Sequence, residues 1–277
     1  MREYVGRFAP SPTGPLHFGS LVAAVGSWLD ARAHRGRWLL RMEDVDESRC
    51  VPGAAEQILH ALEAFGLEWD GEVMVQSRRK EAYREALAEL RRQGRAFGCA
   101  CTRNEAGDRY NGACRDGLAP GRTVRSWRFR VPEESVVIVD RRLGRLEERL
   151  ATTCGDVVLL RADGYFSYQL AVVVDDAAQG VTDVVRGADL LDSTARQAAL
   201  HLALGHEPPQ WLHLPLAVNG EGQKLSKQSK APPLDLRRTE EELFQALKFL
   251  GVGAEPGSRG EMLQAAKINW RLMFPEL

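Results

Sequence analysis

The sequence predicts an α/β fold, and three observations predict it. EYVGRF, residues 3 to 8, reads as a short strand; it is followed by the turn APSPTGP and by LHFGSLVAAVGSWLDAR, whose Leu21, Val25, Trp28 and Leu29 recur at helical spacing. RWLLRME, from Arg37 to Glu43, is a second strand, and PGAAEQILHALEAFG, from Pro52 to Gly66, is a helix opened by proline and closed by glycine. Strand and helix patterns then resume after a polar interruption. The opening is therefore β, α, β, α, and the rest of the chain completes it.

A helix pattern from Arg78 to Arg92 precedes the interruption, a Gly- and Arg-rich segment from 94 to 126 that resembles neither neighbour and is read as an insertion. After it, SWRFRV, SVVIVD and DVVLLRADG read as strands, SYQLAVVVDDA as a helix, TDVVRG as a strand and DSTARQAALHLALG as a helix. Trp211 to Val218 gives one more strand. A Gly/Lys-rich loop follows, then two helix patterns from Thr239 to Leu250 and from Gly260 to Met273.

Composition narrows the function classes. With 277 residues, 44% hydrophobic and 27% charged, the chain can bury a core and is neither disordered nor fibrous. MREYVGRFAPSPTG has no apolar stretch behind its charges, and the run around Leu21 to Leu29 is too short to span a bilayer, so no membrane association and a cytoplasmic location are expected. A net charge of −1 confines any nucleic-acid contact to local patches. Five cysteines, odd in number and unevenly spaced, argue against a secreted disulfide framework.

Two short constellations carry chemistry. His17-Phe18-Gly19-Ser20 puts a histidine and backbone N–H groups at a helix N-terminus, where the helix dipole and unsatisfied donors attract phosphate. Lys224-Leu225-Ser226-Lys227-Gln228 puts two flexible point charges in a loop beside Gly220, Gly222 and Pro232-Pro233, suited to a moving pyrophosphate. Alone, the first is equally a capping turn and the second a solvated basic loop. In the insertion, Cys99, Cys101 and Cys114 suit a tetrahedral zinc. The bare residues leave its fourth ligand open between Cys154 and a histidine, and buried reduced cysteines without metal are the competing reading.

Together and in this order, the two constellations resemble the "HIGH" and "KMSKS" motifs of class I aminoacyl-tRNA synthetases. RFAPSPTGPLHFGS is similar to the opening of the glutamyl and glutaminyl branch, and LLRMEDVDESR, SYQLAVVVDD and DVVRGADLLDSTARQ extend the resemblance over most of residues 4 to 228. The resemblance implies a class I Rossmann-type parallel sheet with a zinc-containing insertion and a small C-terminal helical region. Its implied boundaries are 1–96 and 155–213 for the two catalytic halves, 97–154 for an acceptor-binding-like insertion, and 214–277 for the loop and helices.

It implies, too, that Arg7-Phe8-Ala9-Pro10-Ser11 lines a glutamate pocket, with Arg7 on the side-chain carboxylate and Ser11 and Glu43 at the backbone end. Tyr168 and Arg186 supply the remaining amino-acid contacts. Arginine suits the carboxylate independently, because a charged hydrogen bond contributes about 1.5–3 kcal/mol. ATP, carried with Mg²⁺, falls to His17, Gly19, Ser20, Lys224 and Lys227, with His17 and Lys227 the catalytic pair. Phe18 and Ser20 depart from the family's Ile and His. The chemistry implied is attack of the glutamate α-carboxylate on the α-phosphorus, by positioning and electrostatics and with no protein nucleophile.

The glutamyl-queuosine tRNA(Asp) synthetases, truncated relatives in this branch, carry Cys-x-Cys and then Tyr-x₃-Cys. That pattern matches Cys99, Cys101, Tyr110 and Cys114 and implies one structural Zn²⁺ with tyrosine as the fourth ligand. Only 49 residues follow Gln228, too few for an anticodon-binding domain. The expectation is a monomer that activates L-glutamate without tRNA and transfers it to queuosine at the anticodon wobble position of tRNA(Asp). Arg122, Arg125, Arg128 and Arg130, with Arg141, Arg142 and Arg145, are candidate phosphate contacts and read equally as solvated faces. Two rivals stand beside it: a compact glutamyl-tRNA synthetase charging a 3′ end, and an inactive RNA-binding paralogue.

Overall fold

In the computed structural model, residues 2–216 and 232–275 are described. The chain opens with strand β1 (Val5–Phe8), helix α1 (Phe18–Ala33), strand β2 (Arg37–Met42), helix α2 (Ala54–Ala64) and strand β3 (Met74–Val75). Then come α3 (Lys80–Arg92), β4 (Ala96–Cys99), α4 (Arg103–Ala106), β5 (Ser126–Phe129), β6 (Val136–Asp140) and β7 (Gly144–Glu148). The remainder is α5 (Leu150–Thr153), β8 (Val157–Leu160), α6 (Tyr168–Gln179), β9 (Asp183–Gly187), α7 (Leu191–Ala203), β10 (Gln210–Leu214), α8 (Thr239–Phe249) and α9 (Arg259–Met273). No described helix is long and apolar enough to cross a membrane.

Two compact units emerge. The first comprises Met1–Val75, Val181–Leu191 and Gln210–Leu277, and the second Gln76–Gly180 and Asp192–Pro209. The expected insertion, 97–154, lies inside the second.

In the first unit β2 pairs in parallel with β1 and with β3, and β10 in parallel with β9. The Thr182 N–H donates to Val5 O at 2.9 Å and the Val5 N–H to Thr182 Oγ1 at 2.8 Å, so β9 runs beside β1. The strand order is thus β3-β2-β1-β9-β10, and it reverses direction between β1 and β9. Helix α1 fills this crossover: Leu21, Val25 and Leu29 are buried with Leu212, Leu214 and Trp270 in one apolar core. Gly26 makes the close approach possible, since a Cβ there would lie 2.6 Å from Leu214 Cδ1. Asp30, buried on the same helix, accepts hydrogen bonds from Trp270 Nε1 at 2.8 Å and from Tyr4, which ties α9 and the N-terminal segment to α1.

In the second unit β4, β5 and β8 form an antiparallel sheet, and β6 and β7 form a hairpin. Helix α6 is anchored at Asp175, which is buried and accepts from Gln76 Nε2 at 2.9 Å, Arg79 Nε at 2.5 Å and Tyr83 Oη at 2.6 Å. Three donors on one buried carboxylate leave it satisfied, as burial of a charge requires.

The strand β7 falls where the sequence reads only as polar and basic. Its turn is set by Asp140, whose Oδ1 accepts the N–H groups of Arg142 and Leu143 at 2.9 and 2.8 Å, and by Gly144 at φ 78°.

Candidate active site and metal centre

Arg7 lies on β1 and is only 4% exposed. Phe8, next along, points into the core and stacks on Trp38 with ring centroids 6.1 Å apart. The strand then runs out at Ala9-Pro10-Ser11. That turn is pinned to the end of β2 by the Glu43 N–H donating to Pro10 O at 2.9 Å, and to the following segment by the Val51 N–H donating to Pro12 O at 2.9 Å. Ser11 is exposed at its tip.

Glu43 follows β2 directly, and its carboxylate receives Arg41 Nη2 at 3.2 Å, with side-chain exposures of 8% and 0%. His17 caps α1: the Ser20 N–H donates to its Nδ1 at 3.3 Å and the Leu21 N–H to its carbonyl at 3.0 Å. Gly19 and Ser20 form the first turn of that helix. Pro233 bridges back to His17, and the Leu234 N–H donates to Leu16 O at 3.1 Å. The chain therefore re-enters the described region against the α1 N-terminus. Lys224 and Lys227 lie outside the described residues.

Arg186, on β9 and 4% exposed, donates its Nε–H to His213 Nε2 at 3.2 Å and an Nη2–H to Leu190 O at 3.3 Å. Residues His213 and Arg186 are register partners on β10 and β9. This parallel sheet unit thus brings Arg7, Ser11, Glu43, His17 and Arg186 to or beyond the carboxyl ends of β1, β2 and β9. The reversal in strand order falls between β1 and β9, and open parallel sheets bind ligands outside the strand ends at such a reversal. Tyr168 belongs to the second unit, where it starts α6 just after the cap Ser167, whose Oγ accepts the Leu170 N–H at 3.3 Å.

Sequence reasoning did not single out Arg41 and His213, the groups that hold Glu43 and Arg186. Their signal is a charged or polar residue at a buried position of an otherwise apolar strand.

The cluster that could hold a metal lies in the second unit. The Sγ atoms of Cys99, Cys101 and Cys114 lie within 4.8 Å of one another, and Cys101 Sγ is 3.7 Å from Cys114 Sγ. Tyr110 Oη sits 3.5 Å from Cys99 Sγ and accepts the Cys114 N–H at 2.8 Å. A tetrahedral zinc with sulfur at about 2.3 Å and oxygen at about 2.0 Å spaces its ligands about 3.8 Å for sulfur–sulfur and about 3.5 Å for sulfur–oxygen. The four residues fit that ion. Cys154 does not join them; its thiol faces Leu150 O at 3.7 Å and Gly155 O at 3.3 Å.

Without a cation this cluster strains against its own ionisation. Burial, and then the neighbouring thiols of Cys114 and Cys99, push Cys101 up to about 11. Burial and the hydrogen bond with Cys99 likewise push the Tyr110 phenol up. Burial also opposes ionisation of Cys99, but Tyr110, the Cys101 backbone and Arg128 outweigh it and bring that thiol down to about 7. A divalent ion would favour the ionised form of every ligand it binds.

The basic segment expected to face phosphates is largely committed elsewhere. Arg122 donates to Glu105 at 2.9 and 3.0 Å and to Ala100 O at 2.9 Å, while Arg128 is buried over the Tyr110 ring. Arg130 donates to Arg115 O at 2.5 Å and stacks on Phe97.

Comparison with known proteins agrees with this geometry. Residues 3–252 match the family model of the class I tRNA synthetases (E and Q), catalytic domain. A Glutamyl-Q tRNA(Asp) synthetase of Aromatoleum aromaticum is 55% identical over 98% of this chain and 90% of its own length. The one from Dechloromonas aromatica is 56% identical over 90% of this chain and 87% of its own. Among solved structures, the glutamate-tRNA synthetase of Elizabethkingia anophelis superposes with a TM-score of 0.81 at 25% identity, covering 97% of this chain and 67% of that one. With a catalytic-domain model spanning nearly all of its length and relatives identical at more than half of their positions, this chain belongs to the glutamyl-Q tRNA(Asp) synthetases, ligases of the class I tRNA synthetase fold.

Proposed function

We propose that the protein activates L-glutamate with ATP in the absence of tRNA and transfers the glutamyl group to queuosine at the wobble position of tRNA(Asp). An oxygen of the α-carboxylate attacks the α-phosphorus and pyrophosphate leaves with the electron pair of the broken P–O bond. A hydroxyl of the queuosine cyclopentene diol then attacks the acyl carbon of the adenylate, loses its proton, and AMP departs. The observation that carries the reading is the meeting of buried Arg7, Arg186 and Glu43 at adjacent strand ends beside the α1 N-terminus.

In this reading Arg7 takes the side-chain carboxylate of glutamate, Ser11 and Glu43 receive its backbone end, and Arg186 and Tyr168 are the remaining amino-acid contacts that the family resemblance implies. Phe8, Ala9 and Pro10 shape its wall, Phe8 through its backbone because its ring is spent on the core. His17, Gly19 and Ser20 hold phosphate oxygens through the imidazole and helix N–H groups. Lys224 and Lys227 neutralise the leaving pyrophosphate, and Mg²⁺ arrives with ATP. Cys99, Cys101, Tyr110 and Cys114 hold one structural zinc, whose closed ligand set leaves no position for substrate. Residues 1–96 and 155–213 serve as the two catalytic halves, 97–154 as an acceptor-binding-like insertion with the zinc site and 214–277 as the supporting loop and helices. The protein works as a cytoplasmic monomer.

The test is glutamate-dependent ATP–pyrophosphate exchange with no tRNA, followed by mass spectrometry of nuclease-digested tRNA from a labelled reaction. Exchange without tRNA, abolished in Lys227→Ala, and label on the wobble nucleotide are expected. Exchange only when tRNA(Glu) is present, with label on a 3′-terminal adenosine, would instead make it a compact synthetase; no exchange at all would leave an RNA-binding paralogue.

A further inference from the structure

The donor set at the metal centre poses a charge problem. Three thiolates and a phenolate bring four negative charges to an ion that carries two, and a net charge removed from water is costly unless a partner of opposite sign stands close by. Arg128 is placed to be that partner. It lies on β5, directly across from Phe97 on β4, and is 9% exposed.

Its guanidinium carbon stands 4.0 Å from the centroid of the Tyr110 ring, well inside stacking range. One Nη1–H is spent on Asp156 O at 2.8 Å, while the Nε–H, buried, has no hydrogen-bond partner among the described residues.

Tyr110 is gripped on every other side. Phe97 stacks on it with centroids 6.2 Å apart, and its N–H donates to Cys154 O at 3.2 Å. Gly155 lies so close that a Cβ there would fall 2.1 Å from Tyr110 O, and its φ of 69° suits glycine alone.

We propose that Arg128 is the positioning and charge-compensating residue of the metal centre: stacked on Tyr110, it holds the phenol oxygen toward the three sulfurs and offsets the negative charge of a four-anion ligand set. This rests on the zinc reading given above. Arg128 is a positioning residue: it stacks on Tyr110 and also stands beside Cys99, so it acts through the ligands.

The experiment compares wild type, Arg128→Met, Arg128→Lys, Tyr110→Phe and the double variant Arg128→Met/Tyr110→Phe. Zinc affinity is read by chelator competition, and the ligands by the spectrum of the cobalt-substituted protein. Arg128→Met is expected to keep the thiolate-to-cobalt absorption, to lose the ultraviolet difference signal of an ionised tyrosine, and to bind zinc about 10–100-fold more weakly. Arg128→Lys should recover part of both. The losses of Arg128→Met and Tyr110→Phe should fall short of adding, because both act on the Tyr110 oxygen.

Unchanged affinity and tyrosine signal in Arg128→Met would overturn the proposal. So would additive losses, or a lysine no better than methionine, since packing rather than charge would then be at work. If Arg128→Met does not fold, the lysine and Tyr110→Phe arms still decide. Absence of zinc from the wild type would sink the metal reading itself, an outcome distinct from these.

Discussion

The parallel-sheet unit and the cysteine segment bury polar groups in different company. Around α1, fully buried Trp38, Trp270, Leu21, Leu29 and Leu40 surround a few polar groups such as the Asp30 carboxylate, which accepts from Trp270 and Tyr4. Between residues 97 and 118 the buried cluster is only Cys99, Ala100, Ala106, Tyr110 and Cys114, with Phe97, Cys101 and Leu118 packed against it. Side chains that small remove little apolar surface from water. Around them the contacts are ionic: Arg115 pairs with Asp156 at 2.6 Å and Glu133 at 2.7 Å, and its hydrogen bonds to them, that to Asp156 first, raise the guanidinium above its ordinary range. One region is held by area and the other by charge and ligands, so the two should fail under different insults.

The largest effect expected is metal removal. Structural zinc contributes on the order of 10 kcal/mol of apparent folding energy where no core substitutes for it. A strong chelator should therefore expose the amides of residues 97–118 to hydrogen exchange while those of α1, β1 and β2 stay protected. Uniform protection before and after chelation would show that the segment holds itself together.

The sheet unit should break by cavity instead. Trp270→Ala removes a fully buried indole and strips Asp30 of its Nε1 donor, so a loss of about 3–5 kcal/mol in denaturant unfolding is expected, with zinc affinity unchanged. A smaller loss, or one that also weakens zinc, would mean the two regions do not fail separately.

The same contrast explains what the sequence made legible. Helices α1, α6 and α9 and strands β1, β2 and β9 were readable because apolar residues recur at the period of the element that buries them. Strand β7 was not, because GRLEE turns exposed Arg145 and Glu147 outward and pairs Val139 with Arg145, so its alternation is polar on the visible face. Arg122, Arg128 and Arg130 looked like a phosphate-binding run, since a sequence shows charges but not the carboxylate, carbonyl or ring that already occupies them. The grouping of Tyr110 with Cys99, Cys101 and Cys114 was reachable only through its motif; spacing alone gives no reason to prefer a phenol to Cys154. Residues 224 and 227, legible as a motif, lie outside the described residues.

A third prediction sharpens the site. Because His213 Nε2 accepts from Arg186 Nε, His213→Ala should let the guanidinium swing and raise the KM for glutamate about tenfold, equivalent to about 1.4 kcal/mol, with a smaller change in kcat. His213→Gln, which offers an amide oxygen at similar reach, should recover part of the loss. An unchanged KM would mean that Arg186 keeps its place without His213.

The smallest effects come from a matched pair of helix caps. Ser258 and Thr102 each close a capping box, with Glu261 and Glu105 respectively returning the backbone hydrogen bond. Ser258 starts a helix of 15 residues whose buried face includes Met262, Ala266 and Trp270, whereas Thr102 starts one of 4 residues beside the cysteines. Removing either hydroxyl costs about 1 kcal/mol locally. For Ser258→Ala that cost falls on the cooperative core, so a drop in Tm of about 2–4 °C is expected. For Thr102→Ala it falls on a turn held by its ligands, so it should appear as a several-fold weaker zinc affinity with Tm nearly unmoved. The reverse pattern, with Thr102→Ala lowering Tm and leaving zinc alone, would mean the cysteine segment folds as part of the larger core and that the division between area and charge is drawn in the wrong place.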